Sequence, residues 1–137
     1  METPVTTPIT KNFVFEEFAC QCGCGSNETD TALIYALQEL RDLIGKPIVI
    51  TSGYRCPGHN EECGGAPASQ HPQGMAADIH VAHLPVKKLY AAAEKVNAFL
   101  NGGIGVSSTF LHLDIRPDGP ARWSYDTDGN TIPFVEP

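Results

Sequence analysis

The chain has 137 residues, 42% of them hydrophobic, which suits one domain with a core of its own. Its formal net charge of −7, from 16 acidic and 9 basic residues with no cluster of lysine or arginine, argues against nucleic acid as a partner. No run of about 18 apolar residues exists and the start METPVTTPITKNF lacks a basic head and an apolar core, so neither a membrane span nor a secretory signal is expected.

Residues 1–11, with prolines at 4 and 8 and threonine at four positions, read as a flexible arm, and residues 12–137 as a single domain with no repeat or internal boundary. "NFVFEEFACQCGCGSNETD" follows as an ordered loop region anchored by Phe13, Phe15 and Phe18. In "TALIYALQELRDLIG" the apolar positions Leu33, Ala36, Leu37, Leu40 and Ile44 recur at three and four residues, the pattern of an amphipathic helix. Asp30 or Thr31 caps its start and Gly45-Lys46-Pro47 ends it.

"PIVITSGYR" predicts a short buried strand that breaks into a glycine turn. The long Gly-, Pro- and Asn-containing loop "CPGHNEECGGAPASQ" then leads to His71. "MAADIHVAH" is a second strand and carries Asp78. "LPVKKLYAAAEKVNAFLNGG" reads as one helix with Pro85 in its first turn, a stripe at Val86, Leu89, Ala93, Val96 and Leu100, and a stop at Gly102-Gly103. "GIGVSSTFLHLDIRP" reads as a final strand carrying His112 and Asp114, and the tail as loops with a small hairpin around Trp123 and Tyr125. The expected architecture is α+β: two main helices on a small, mostly antiparallel sheet.

Catalytic zinc commonly takes three ligands from histidine and carboxylate and keeps one position open. In "SQHPQGMAAD" the Pro72 and Gly74 turn lets a loop-borne His71 and a strand-borne Asp78 reach one ion, with small residues between them. Two histidines compete for third place. His80 shares a strand face with Asp78, whereas His112 sits among Phe110, Leu111 and Leu113, where an imidazole needs a strong partner to offset desolvation.

Five cysteines, Cys20, Cys22, Cys24, Cys56 and Cys63, cannot all pair within one chain. A structural zinc ion held by Cys20, Cys22, Cys24 and Cys56 and disulfides from this loop to Cys56 or Cys63 both stay open, while neighbours such as Cys20 and Cys22 pair only with strain.

"SGYRCPGHN", "GGAPASQHPQGMAADI" and "GIGVSSTFLHLDIRP", in that order, resemble the zinc D-alanyl-D-alanine peptidase family, related in fold to the hedgehog signalling domain, in the branch found in bacterial cell-wall and phage lysis enzymes. The resemblance runs from Asn12 to about Tyr125. It implies a Zn²⁺ ion held by His71, Asp78 and His112, peptidoglycan peptides as substrates, and hydrolysis as a D,D-carboxypeptidase or D,D-endopeptidase. It implies Arg55 as the arginine that binds the substrate carboxylate or the developing oxyanion, against the plainer role of tying down its own loop.

Ser69 and Gln70 beside the metal histidine are candidate substrate contacts, and Trp123 a wall of the cleft. The related enzymes carry Glu or Asp three residues before the last zinc histidine, and here that position is Thr109. Asp114 is then the nearest carboxylate for the role of general base, or else a partner that orients His112 or pairs with Arg116. Two other functions stand beside the first: a non-catalytic zinc-containing wall-binding or structural module, and an L-Ala-D-Glu endopeptidase. Without a signal, release from the cytoplasm by a phage lysis system is the expected route to the wall.

Overall fold

A computed structural model of the chain describes residues 6–22, 24, 26–56, 58, 60 and 70–137. Ser69, Cys63 and most of the loop before His71 therefore lie outside the described residues, as do residues 1–5 of the N-terminal arm. The rest of that arm folds back, with Pro8 bridged to Val14 and the Phe15 amide donating to the Thr7 carbonyl (2.8 Å).

The first helix, α1, covers Thr31–Ile44. The Asp30 carboxylate accepts from the Ala32 amide (2.9 Å) at its start, and Gly45 ends it at φ 65°, a left-handed cap that suits glycine. Leu33, Ile34, Leu37 and Leu40 are completely buried on its inner face.

Six strands form one sheet: β1 (Val49–Ser52), β2 (Ala76–His80), β3 (Gly103–Val106), β4 (Leu111–Asp114), β5 (Ala121–Tyr125) and β6 (Thr131–Pro133), in spatial order β1-β2-β4-β3-β5-β6. Every pairing is antiparallel except the parallel pair β3–β5. The architecture is α+β with a mostly antiparallel sheet, as the sequence pattern predicts.

Three elements differ from expectation. β1 is an edge strand with Val49 exposed rather than a buried one, because it pairs only with β2. "GIGVSSTFLHLDIRP" is two strands rather than one. The polar Ser107-Ser108-Thr109 segment turns the chain, with the Ser107 amide donating to the Phe110 carbonyl (3.1 Å), so β3 and β4 pair with Gly105 opposite His112.

The second helical region divides into α2 (Val86–Ala93) and α3 (Asn97–Leu100). Val96 between them is extended at φ −93° and ψ 114°. Restarting the helix there changes its phase, so that Phe99 is wholly buried and Leu100 is 40% exposed, the reverse of a continuous stripe.

Because side chains alternate across a strand, Ala77, Ile79, Ile104, Val106, Leu111 and Leu113 point to the helices and make one core with α1 and α2. The alternate residues, Asp78, Gly103, Gly105, His112 and Asp114, share the opposite face.

The phase shift gives a direct test. Phe99→Ala should lower unfolding free energy by about 3–5 kcal/mol in urea titration, and Leu100→Ala by less than about 1 kcal/mol. Equal losses would restore the single continuous helix.

Candidate metal centre

Strand register assembles the centre. Asp78 on β2 lies opposite His112 on β4, and Ser52 on β1 lies opposite Asp78 from the other side. His71 arrives from the turn ahead of β2, closed by the Gly74 amide donating to the His71 carbonyl (3.1 Å) and the Met75 amide to the Gln70 carbonyl (3.2 Å). Gly74 takes φ 72°, and a Cβ there would stand 2.0 Å from the Glu28 carbonyl oxygen, so the turn admits only glycine.

His71 and His112 are 2% and 4% exposed, and their rings meet edge to face at 5.1 Å. His71 Nδ1 lies 2.7 Å from the Gly53 carbonyl oxygen, which only accepts, so Nδ1 carries the proton and Nε2 turns its lone pair toward Asp78 Oδ1 at 3.3 Å. His112 Nε2 lies 2.7 Å from Asp114 Oδ2 and donates to it, leaving Nδ1 to face the same Asp78 oxygen at 3.1 Å. Both tautomers are thus fixed by the outer nitrogen.

The fit to a metal can be judged from these distances. Zinc bound at about 2.0–2.1 Å to nitrogen and oxygen in a tetrahedron spaces its ligands about 3.3 Å apart. Asp78 Oδ1 stands 3.3 Å from His71 Nε2 and 3.1 Å from His112 Nδ1, close to that spacing, and the donor atoms of all three residues lie within 4.8 Å of one another. Two neutral imidazoles and one carboxylate converge on one point, so the site can hold such an ion. His80, the other histidine weighed from sequence, pairs with Val49 at the sheet edge and is outside this group.

Burial works to raise the Asp78 carboxyl, and the His112 and His71 imidazoles set against it override that and hold the group well below the usual carboxylate range. For His112 burial pushes the imidazole down, while Asp114 and Asp78 push it up further, leaving it above its ordinary value. A metal therefore competes with a proton at His112.

Asp114 is wholly buried, and its oxygens are taken. Oδ1 accepts from the amides of Gly103 (2.8 Å) and Arg116 (3.2 Å) and from Arg116 Nε (2.9 Å). Oδ2 accepts from His112 Nε2 and Arg116 Nη2, both at 2.7 Å. Burial works to raise this carboxyl, and the Arg116 fork with His112 holds it well below the usual range. A carboxylate so engaged, with no exposed edge, is poorly placed to take a proton from water, and the geometry favours the orienting role of the two offered by sequence. Thr109 is exposed in the β3–β4 turn.

Arg55 stands at the rim. Its Nη2 donates to Asp78 Oδ2 (3.3 Å), Nε to Ser52 Oγ (3.2 Å) and Nη1 to Asn60 Oδ1 (3.2 Å). Gln70 serves the turn through its carbonyl, which accepts from Gln73 and Met75. The Trp123 ring packs 5.0 Å from His112, with the Arg116 guanidinium 5.0 Å from its centroid, so Trp123 covers His112 and its Asp114–Arg116 support.

Residues 11–114 match the family model described as Peptidase M15. The chain belongs to that family. Peptidoglycan L,D-endopeptidase MepK of Escherichia coli strain K12 is 35% identical over 102 residues, covering 68% of this chain and 53% of that protein. The Shigella flexneri protein of the same name matches to the same extent. Probable peptidoglycan L,D-endopeptidase MepK of Haemophilus influenzae is 32% identical over 90 residues, covering 61% of this chain and 47% of that protein. The chain thus spans about half the length of these curated relatives.

In this M15 chain, sequence reasoning missed the supports that are not side chains. A Cβ on Gly103 would stand 2.4 Å from Asp114 Oδ2, and one on Gly105 would stand 2.5 Å from Trp123 Nε1. The glycines of "GIGV", alternating opposite His112 and Asp114, were the readable signal. The Gly53 carbonyl that fixes His71 left none, since any residue offers a carbonyl.

Asp114→Asn should lower metal affinity about 10–100-fold, with activity returning at saturating metal. Unchanged affinity with activity lost at every metal concentration would return Asp114 to the role of base.

Proposed function

We propose that the chain is a zinc-dependent peptidase that cuts peptide bonds in peptidoglycan stem peptides, with His71, Asp78 and His112 as the zinc ligands. The observation that carries this reading is the convergence of those three donors, with both outer imidazole nitrogens tied off, on the sheet face turned away from the helices. Membership of the M15 family supports it. Zinc in such a site supplies Lewis acidity that polarises the scissile carbonyl and makes water a nucleophile near neutral pH.

The chain's own residues do the remainder. Asp114, held by Arg116, keeps the His112 ring and tautomer in place. Arg55 holds Asp78 and sets a positive charge beside the position where negative charge develops on the substrate oxygen. Trp123 excludes water from the far side of His112. The relatives named as L,D-endopeptidases support a bond between an L and a D residue, such as L-Ala-D-Glu, ahead of the D,D-carboxypeptidase and D,D-endopeptidase activities.

A second reading, a zinc-holding wall-binding module without turnover, is favoured by two observations. Asp114 is saturated with donors, and Thr109 occupies the position where a carboxylate is expected.

Zinc-loaded protein incubated with purified muropeptides should yield new peptide termini, abolished by chelator and restored by zinc. Product masses separate the activities: free D-alanine marks the carboxypeptidase, an opened D-Ala cross-link the D,D-endopeptidase, and a cut within the stem the L,D-endopeptidase. No product at all would overturn the enzyme and leave the binding module. Arg55→Ala should lower kcat about 100-fold with zinc content unchanged.

A further inference from the structure

Three cysteines gathered in "CQCGC" meet a fourth, Cys56, from the segment that follows β1. Cys20 Sγ lies 3.4 Å from Cys22 Sγ, and Cys22 Sγ lies 3.6 Å from Cys56 Sγ. With Cys24 included, all four sulfurs fall within 4.8 Å of one another, and all four residues are free thiols. A disulfide would bring two sulfurs to about 2.05 Å. Zinc bound to four thiolates at about 2.3 Å instead spaces them about 3.8 Å apart, near the separations found.

We propose that Cys20, Cys22, Cys24 and Cys56 bind a second, structural zinc ion that clamps the loop after Phe18 onto the Gly53–Cys56 segment. Four thiolates in one cluster repel one another, and a bound dication removes that cost by holding each of them deprotonated. The backbone favours the thiolate form as well, since the Cys56 amide donates to Cys20 Sγ and the Ser26 amide to Cys24 Sγ, both at 3.4 Å. Soft tetrahedral sulfur ligation selects zinc over the hard cations, and a full set of four ligands leaves no open position for chemistry.

The clamp acts on the segment that supports the first site. Gly53 gives its carbonyl to His71, Arg55 gives its guanidinium to Asp78, and Cys56 follows Arg55 directly. Among the described residues the loop also meets this part of the chain through the Tyr54 amide, which donates to the Phe18 carbonyl (2.8 Å), and through Gln21 Nε2, which donates to the Thr51 carbonyl in β1 (2.7 Å). Gly53 also passes close under Phe18, whose carbonyl oxygen would stand 2.7 Å from a Cβ there.

The test is metal counting on the whole protein, prepared with zinc under reducing conditions. Elemental analysis should give about two zinc ions per chain, falling to about one in Cys22→Ser and Cys56→Ser and to about one in His71→Ala, with Cys63→Ser keeping both. Cobalt-exchanged protein should show a thiolate-to-metal charge-transfer band that His71→Ala keeps and Cys22→Ser loses. Where a cysteine variant fails to fold, mercurial titration of the unmodified protein should release about one zinc in step with these thiols.

About one zinc per chain, insensitive to mercurial and lost in His71→Ala, would overturn the proposal, as would iron in the sulfur site or a disulfide found by mass spectrometry. About one zinc lost in Cys22→Ser and kept in His71→Ala would support it, and would overturn the zinc ligation at His71 instead.

Discussion

The contact between Asp78 and His112 is the one on which the rest of the centre depends. It exists because β2 and β4 pair in a register that sets these residues directly opposite, on the face turned away from the helices. A slip of one residue would send Asp78 into the core and bring Ile79 or Ala77 out, so the apolar alternation that fixes the core also fixes the site. His71 needs no strand for this purpose. Its turn is held against α1 by the Asp30 amide, which donates to the Gly74 carbonyl (2.8 Å), and through Gly74 it is locked to the start of β2.

The neighbouring strand makes the register usable. β3 presents Gly105 and Gly103 beside His112 and Asp114, and each glycine leaves the room that a side chain needs. Trp123 leans over the first to reach His112, and the Asp114 carboxylate lies over the second and takes its amide hydrogen. Orientation of His112 thus rests on absent side chains as much as on present ones. Removing Arg116 or His112 from this group would leave Asp114 as a buried charge without its partners, an arrangement that commonly costs about 3–5 kcal/mol.

Much of this was legible in the residues alone. Helix α1 is bounded where Asp30 and Gly45 place its ends, because capping is local chemistry. The three residues proposed as metal ligands were singled out because loop-borne His71 and strand-borne Asp78 flank a turn, with the family resemblance selecting His112 over His80, and the fold brings the three together. What was not legible depends on tertiary choice. Ser107–Phe110 was read as continuous strand because β-branched and apolar residues flank it, and only the pairing of β3 with β4 shows the turn. Phe99 and Leu100 are adjacent and both apolar, so which one enters the core is decided by the break at Val96 rather than by periodicity. The role of Asp114 could not be decided without knowing that Gly103 and Arg116 would saturate it.

Charge balance gives the arrangement its chemical sense. Asp78 is paired with Arg55, and Asp114 with Arg116, at 3.3 and 2.7 Å. With both imidazoles neutral, the two carboxylates and two guanidinium groups cancel. Had the carboxylates stood without arginines, they would have offset most of the charge of a bound dication and strengthened its capture at the expense of its pull on a carbonyl. Pairing each with a cation keeps that charge uncancelled in a partly buried setting, where electrostatic effects exceed those in water. The same pairing would make these residues weaker competitors for a metal than bare carboxylates, so fixed tautomers and a pre-set spacing near 3.3 Å would have to supply the affinity that net charge does not.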